Sequence, residues 1–357
     1  MRFRGIGTCF ASAVRPGQAR RMGESVHRLE LGFAIGRNPR SEPVLSGRVQ
    51  PQGIDLHCSD IHGSEIFWRQ LTFGEFEVSE MSLSSLLISI AHGIDNWIAL
   101  PIFTSRMFFH TGVLVRNAAG IRTPADLEGK RVGVPEYQQT AALWTRGILQ
   151  HEFGVDPANI DWFMERPPKR SHGGATGFVP PAGIRLNYIP TTTDIGEQLE
   201  LGELDATLLY LANTRNLVDR SQREFGEGSK VSYLFDDRIR ESARYFQKTG
   251  IFPINHCVVV RSDIARRYPW VMLNLYNAFL DAKQLSNEQT TQLFEPYLAT
   301  GSLPLESRID THLDLYPYGV QANQNLLETI AQYSFEQGLT PRQIGLEEIF
   351  YPPTLEL

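Results

Sequence analysis

The chemistry-bearing residues begin with serines. Ser82, Ser84 and Ser85 lie where an alternating apolar run, FEVSE, hands over to a helical one, LSSLLISIAHG. In the second run Leu83, Leu86, Leu87 and Ile90 recur at i, i+3, i+4 and i+7, and Gly93 sits at a C-terminal stop. A helix this apolar is expected to be buried, yet it opens on hydroxyls. Ser82 is placed to cap it, with Ser84 in its first turn. The unpaired N–H groups and positive dipole end there favour a carboxylate. Ordinary capping gives the same spacing and stands as the alternative. VPEYQQTAALW repeats the device: the strand 131–134 ends at Pro135, and Thr140 can cap a helix from Ala141. Two helix ends facing each other across a cleft would suit a ligand with two separated negative groups.

Other groups can grip an anion or move a proton. Arg37 follows the first strand-like run, and Arg106 and His110 lie in SRMFFH. A guanidinium can hold a carboxylate through two N–H groups at once, or pair with a structural acid. His110 and His256 (in INHCVV) fall where the chain is expected to pass between two units. A lone histidine in an apolar strand is usually a core residue, but two at the two crossings point to a chemical role for at least one. His57, Cys58, Asp60 and His62 in HCSDIH match no standard zinc spacing, so no metal is expected. Neither G-x-x-x-x-G-K-[ST] nor G-x-S-x-G occurs, so a phosphate loop and a nucleophile elbow are not indicated. The Pro-, Gly- and cation-rich run 166–183 reads either as a solvated loop or as a lid carrying Lys169 or Arg170 to a ligand.

These groups need a scaffold. The length of 357 residues suggests about two domains, and 42% apolar residues suffice for ordinary cores. A net charge of −6 without a long basic run argues against nucleic acid. No run reaches the ~20 apolar residues of a membrane span. Cys9, Cys58 and Cys257 form no disulfide framework, which suits a reducing, cytoplasmic compartment. The basic stretch 1–26 lacks a continuous apolar segment and reads as a disordered extension rather than a secretory signal.

Strand-like runs at 29–36, 53–59, 76–80, 97–103 and 112–116 alternate with helical ones. A second unit starts near Asn117, and a strongly apolar strand returns at 251–261. The division expected is 27–115 plus 256–357 as lobe I and 116–255 as lobe II, with crossings near 109–117 and 250–260 forming a hinge. Ligands in such sheets bind beyond the C-terminal ends of strands. The tail helix 322–338 packs on its own lobe or on a second subunit, which leaves a homo-oligomer open.

Five motifs in register, EFEVSEMSLSSLL, LPIFTSRMFFHTGVLVR, GKRVGVPEYQQTAALWTRGIL, IFPINHCVVVR and YPYGVQANQNLLE, resemble the 4,5-dihydroxyphthalate decarboxylase family over about 29–352. One departure stands out. Where the family has a Tyr-Asp-Arg-Thr tract after the first strand, this chain reads Ile35-Gly36-Arg37-Asn38 and keeps only the arginine. The resemblance implies an α/β, two-lobed type 2 periplasmic-binding-protein-like fold, with two open mixed sheets joined by two hinge crossings. It also implies loss of one carboxylate from a dihydroxylated benzene dicarboxylate without an organic cofactor.

Direct loss of carbon dioxide would leave an aryl carbanion in the ring plane, without π stabilisation. The easier route protonates the ring carbon bearing the carboxylate while a para phenolate feeds in electrons. This asks for a proton donor, His110 or His256, and for Arg37, Arg106, Ser82 and Ser84 around carboxylate. Glu80, Glu136 and Tyr137 would line the phenol end, with Glu80 counted among the catalytic groups. The alternative is a solute-binding protein that captures an aromatic or sulfonate anion for a transporter, since fold does not fix function. A ligand-sensing regulator would need a DNA-binding module that the composition does not show.

Overall fold

The computed structural model describes residues 28–307 and 314–357; the extension expected at 1–26 lies outside them. In the first lobe, β1 (Leu29–Ile35), β2 (Ile54–Asp60), β3 (Val78–Ser82) and β4 (Trp97–Arg106) alternate with the helices Gly63–Phe73 and Leu83–Ala91. The second lobe holds β5 (Leu114–Arg116), β6 (Arg131–Val134), β7 (Asp161–Met164), β8 (Arg185–Tyr188), β9 (Ala206–Thr207) and β10 (Val231–Tyr233). The chain then returns to the first sheet as β11 (Ile254–Arg261). The sheets read β2-β1-β3-β11-β4 and β10-β5-β9-β6-β7-β8, and both are mixed.

Alternation along the strands explains why the first sheet is covered on both faces. Leu31, Phe33 and Ile35 of β1 and Val258 and Val260 of β11 pack with Val271, Leu275 and Phe279 of the helix Trp270–Ala299. Ala34, Met81, Phe103, Cys257 and Val259 turn the other way, towards Leu86 and Leu87. The apolar, serine-started helix Leu83–Ala91 is therefore enclosed, as its composition requires. Strand β3 runs to Ser82, two residues past the alternating run, so Ser82 ends the strand and is also the helix N-cap.

The tail helix Gln324–Glu336 packs against both Leu83–Ala91 and Thr140–Phe153, one from each lobe of its own chain. At Gly147 a Cβ would fall inside the Tyr333 ring, so only glycine lets the two helices approach this closely. No helix among the described residues is long and apolar enough to cross a membrane.

Candidate active site

The strand ends of both lobes converge on one cavity of about 330 Å³, with His62, Ser82 and His256 on one side and Thr140, Arg166 and His172 on the other. The antiparallel β11 enters at the same edge where the parallel strands stop. His256 thereby stands opposite Ser82 of β3 and Ser105 of β4. The pairing of β11 with β4 shifts register around His256, an irregularity of the kind that re-aims a side chain beside a site.

His256 is backed by a carboxylate. Its Nδ1 lies 2.8 Å from Oε1 of the buried Glu80. The same oxygen accepts from Thr104 Oγ1 at 2.5 Å, and Oε2 accepts from the Gly36 N–H at 3.1 Å. Burial alone would raise the Glu80 pKa; His256 and these donors outweigh it and hold the carboxyl below its ordinary range. An ionised Glu80 only accepts, so Nδ1 of His256 carries the proton and Nε2 is left for the cavity. Nε2 makes no hydrogen bond to the described residues. Phe67 packs edge-on against the imidazole, with ring centroids 4.6 Å apart.

The opposite wall is a buried ionic network. Arg166 donates to Asp219 Oδ1 through Nε at 2.8 Å and Nη2 at 2.5 Å, and to Glu136 Oε1 through Nη1 at 3.0 Å. Three of the five guanidinium N–H groups are thus used, and its single charge is faced by two carboxylates. Burial lowers the Arg166 pKa, but Asp219 and Glu136 overcome it and the net direction is up. His172 lies between Ser85 Oγ, 2.7 Å from Nδ1, and Glu136 Oε2, 3.2 Å from Nε2. Burial is the dominant influence on it and holds its pKa at about 4, so it is a neutral bridge.

The two helix N-termini do face each other, and they touch. Ser82 Oγ and Thr140 Oγ1 are 2.9 Å apart, Thr140 Oγ1 accepts from Ser84 N–H at 2.9 Å, and Ser84 Oγ donates to Gln138 O at 2.7 Å. Thr140 is the first residue of its helix, after an N-cap at Gln139, so its hydroxyl serves the partner helix rather than capping its own. The helix ends are joined by side chains that a bound anion would have to part or flank.

Of the residues picked out by sequence, His256, Ser82 and Thr140 line the cavity. Glu80 stands behind His256 rather than at a separate end. Ser84, Glu136 and Tyr137 are buried behind the walls: the Arg146 guanidinium lies over Tyr137, 3.7 Å from its ring centroid, and Tyr137 does not line the cavity. Three further expectations are corrected. Arg37 is exposed and held by Asp60 at 2.7 Å and by Glu42, outside the cavity. Arg106 turns away, donating to Phe252 O (3.1 Å), Pro317 O (3.0 Å) and Asn323 Oδ1 (2.5 Å), so it clamps the return crossing to the tail. His110 is fully enclosed in the 3-10 turn Phe109–Gly112 against Tyr245 and Phe235. Burial, only partly offset by Glu241, holds its pKa at about 4.

Sequence reasoning passed over Arg166 and His172 and treated His62 only as a metal candidate. The described residues contain no group of three or more His, Cys, Asp or Glu placed to share a cation. The strand-tip rule that flagged Arg37 applies equally to His62, just past β2, and to Arg166, just past β7. The 166–183 run does cover the cleft, but with Arg166 and His172 inward. Lys169 and Arg170 are exposed and serve as struts: Trp68 Nε1 donates to Lys169 O at 3.1 Å, and Arg170 Nη1 donates to Leu217 O at 2.6 Å.

No protein-family model matches the chain. It is 32% identical over 335 residues to the 4,5-dihydroxyphthalate decarboxylase of Comamonas testosteroni, covering 92% of this chain and 98% of that protein. The protein of that name from Pseudomonas putida is 34% identical over 213 residues, 59% of this chain and 79% of that one. In three dimensions the chain is similar to the periplasmic aliphatic sulphonate binding protein SsuA of Escherichia coli. The TM-score is 0.50 at 14% identity, covering 91% of this chain and 92% of that one, a likeness of fold alone. The fold is thus the two-lobed binding-protein type, and by its nearly full-length match to the Comamonas protein the chain belongs to the 4,5-dihydroxyphthalate decarboxylase family.

Proposed function

We propose that this chain removes one carboxylate from a hydroxylated benzene dicarboxylate such as 4,5-dihydroxyphthalate, giving 3,4-dihydroxybenzoate and carbon dioxide. The observation that carries the reading, beside family membership, is His256: an imidazole facing the interlobe cavity, its other nitrogen fixed by a buried carboxylate. The cavity volume of about 330 Å³ is at the small end of ligand-sized sites and suits a single ring.

The ring lies between the lobes with the departing carboxylate near His256. Ionisation of the hydroxyl para to that carboxylate pushes electron density onto the ring carbon that bears it. The protonated Nε2 of His256 delivers a proton there, with Glu80 offsetting the imidazolium charge. The C–C bond to the carboxylate then breaks, carbon dioxide leaves, and its electron pair restores the aromatic ring. The phenolate regains the proton it gave up, and His256 is reprotonated from solvent, so each turnover consumes one proton, the one that takes the place of carbon dioxide on the ring. Because two carboxylates, those of Glu136 and Asp219, already face the single charge of Arg166, this residue contributes directed N–H donors rather than an unpaired cation. The helix ends at Ser82 and Thr140 supply the remaining positive potential for the spectator carboxylate.

The test is carbon dioxide release and 3,4-dihydroxybenzoate formation by the purified protein given 4,5-dihydroxyphthalate. Turnover is expected. Binding without turnover on this compound and on a panel of hydroxybenzoates would overturn the reading in favour of a capture protein.

A further inference from the structure

His62 and His256 face the same cavity but are held by opposite kinds of partner. His256 Nδ1 meets a carboxylate, which only accepts. His62 Nδ1 meets two N–H groups: the backbone N–H of Ser64 at 3.3 Å, which makes His62 the N-cap of helix Gly63–Phe73, and Nδ2 of Asn216 at 3.1 Å. The orientation of the Asn216 amide is fixed independently. Its Oδ1 accepts from the N–H groups of Val218 at 2.8 Å and Asp219 at 2.9 Å, so the NH₂ end is the one turned to His62, where it also meets Asp219 Oδ2 at 2.7 Å and Thr214 Oγ1 at 2.8 Å. A proton on Nδ1 of His62 would meet two donors head-on. The neutral ring therefore carries its proton on Nε2, the nitrogen with no hydrogen bond to the described residues.

From this geometry we infer that His62 is the fixed hydrogen-bond donor of the cavity, presenting Nε2–H to an anionic oxygen of the substrate, while His256 exchanges protons. This rests on the proposed decarboxylase reading for the identity of the ligand, though not for the state of the ring. The two histidines are thereby divided in labour: an Nε2–H that cannot accept, and an Nε2 that can do either.

The division is tied to closure. His62 belongs to the first lobe and Asn216 to the second. The segment 213–221 crosses the cleft at a second point, where Leu217 N–H donates to Glu65 Oε2 at 3.2 Å. Its shape is set by the Asn213 N–H to Ser221 O bond at 3.1 Å and by positive φ at Asn213 (55°) and Arg215 (50°). When the lobes part, His62 keeps only the N-cap bond. The donor tautomer is most firmly fixed when a ligand is enclosed.

Nitrogen-15 spectra of histidine-labelled protein read the tautomer directly. In the wild type, His62 is expected as Nε2–H and His256, when neutral, as Nδ1–H. Asn216→Asp keeps the Oδ1 bonds but removes the donor, and it is expected to shift His62 towards Nδ1–H. Binding of 3,4-dihydroxybenzoate, which needs no turnover, gives the second readout. His62→Phe is expected to weaken it about 10- to 100-fold, the range for a lost hydrogen bond to a charged group. His62→Gln, whose amide N–H can take the Nε2 place, is expected to recover most of that loss. An Nδ1–H signal for His62 in the wild type overturns the inference, as does equal binding by the Phe and wild-type proteins. If 3,4-dihydroxybenzoate binds to none of them, the substrate reading fails and the wild-type spectrum still decides the tautomer.

Discussion

Glu80 Oε1 lies 2.8 Å from His256 Nδ1, and the two side chains sit on the adjacent strands β3 and β11 of one rigid sheet. The carboxylate is filled on its far side by Thr104 and the Gly36 N–H. It thus has one geometry, and so does the imidazole it holds.

His256→Ala is expected to lower kcat by about 10² to 10⁴, the usual worth of a positioned proton donor, with a smaller change in KM. Glu80→Gln should also act mainly on kcat. Its NH₂ group would face either the Gly36 N–H or the Thr104 hydroxyl and His256 Nδ1–H, so the imidazole loses its fixed tautomer. Steady-state decarboxylation by both variants, with urea unfolding to separate folding from activity, checks this. Unchanged kcat in folded His256→Ala would remove His256 from the chemistry.

His110 and His172 are both held at about pKa 4 by burial, against about 6.5 in an unfolded chain. Between those values the unfolded chain binds protons that the folded one refuses. Stability is therefore expected to fall as pH drops from about 6.5 towards 4, by up to about 1.4 kcal/mol per pH unit for each histidine. Above 6.5 the two contribute no slope. Urea midpoints between pH 7 and 5 measure it, a range above the pKa of most carboxylates. His110→Gln should flatten the curve by one histidine's share.

These two histidines also show where the sequence stops being informative. The strand-helix order, the buried helix Leu83–Ala91 and the return strand with His256 could all be read from periodicity and apolar runs. That His256 faces the interlobe cavity while His110 does not depends on a register irregularity in β11 and on the 3-10 turn Phe109–Gly112. Neither leaves a periodic trace. Arg166 and His172 were hidden for another reason. Pro and Gly mark 166–183 as a loop, and composition does not say that a loop folds inward. What draws it in is Glu136, thirty residues upstream of Arg166, and Asp219, fifty-three downstream. Such pairings are visible only once the lobe has formed.

Arg166→Met is expected to cost about 3–5 kcal/mol, because Glu136 and Asp219 would be left as buried charges without a partner. Arg166→Lys should recover little, since one ammonium cannot reproduce the Nε, Nη1 and Nη2 contacts. Adding Glu136→Gln and Asp219→Asn to Arg166→Met should return part of the stability without returning activity. Chemical unfolding of the single and triple variants reads this. A single variant as stable as wild type would show that the two carboxylates are not charged.

Gly147→Ala would ordinarily stabilise a helix interior by about 0.5–1 kcal/mol. Here the sign is expected to reverse. The new Cβ would occupy the Tyr333 ring, which also stacks on His151 with centroids 4.9 Å apart and meets Trp144 edge-on at 5.6 Å. Tyr333 cannot swing aside without giving up both contacts, so a loss of about 1–3 kcal/mol is expected, as for other overpacked cores. Pairing the change with Tyr333→Ala removes the clash, and the double variant should be more stable than the sum of the two singles implies. The consequence reaches the cleft. The tail helix rests on one helix from each lobe, and Arg146 Nε donates to Gln337 Oε1 at 2.9 Å beside it. A tail pushed off its seat should loosen the lobes, raising KM for 4,5-dihydroxyphthalate and increasing the radius of gyration in solution scattering. Equal scattering from wild type and Gly147→Ala, alongside the loss in stability, would confine the role of the tail to packing.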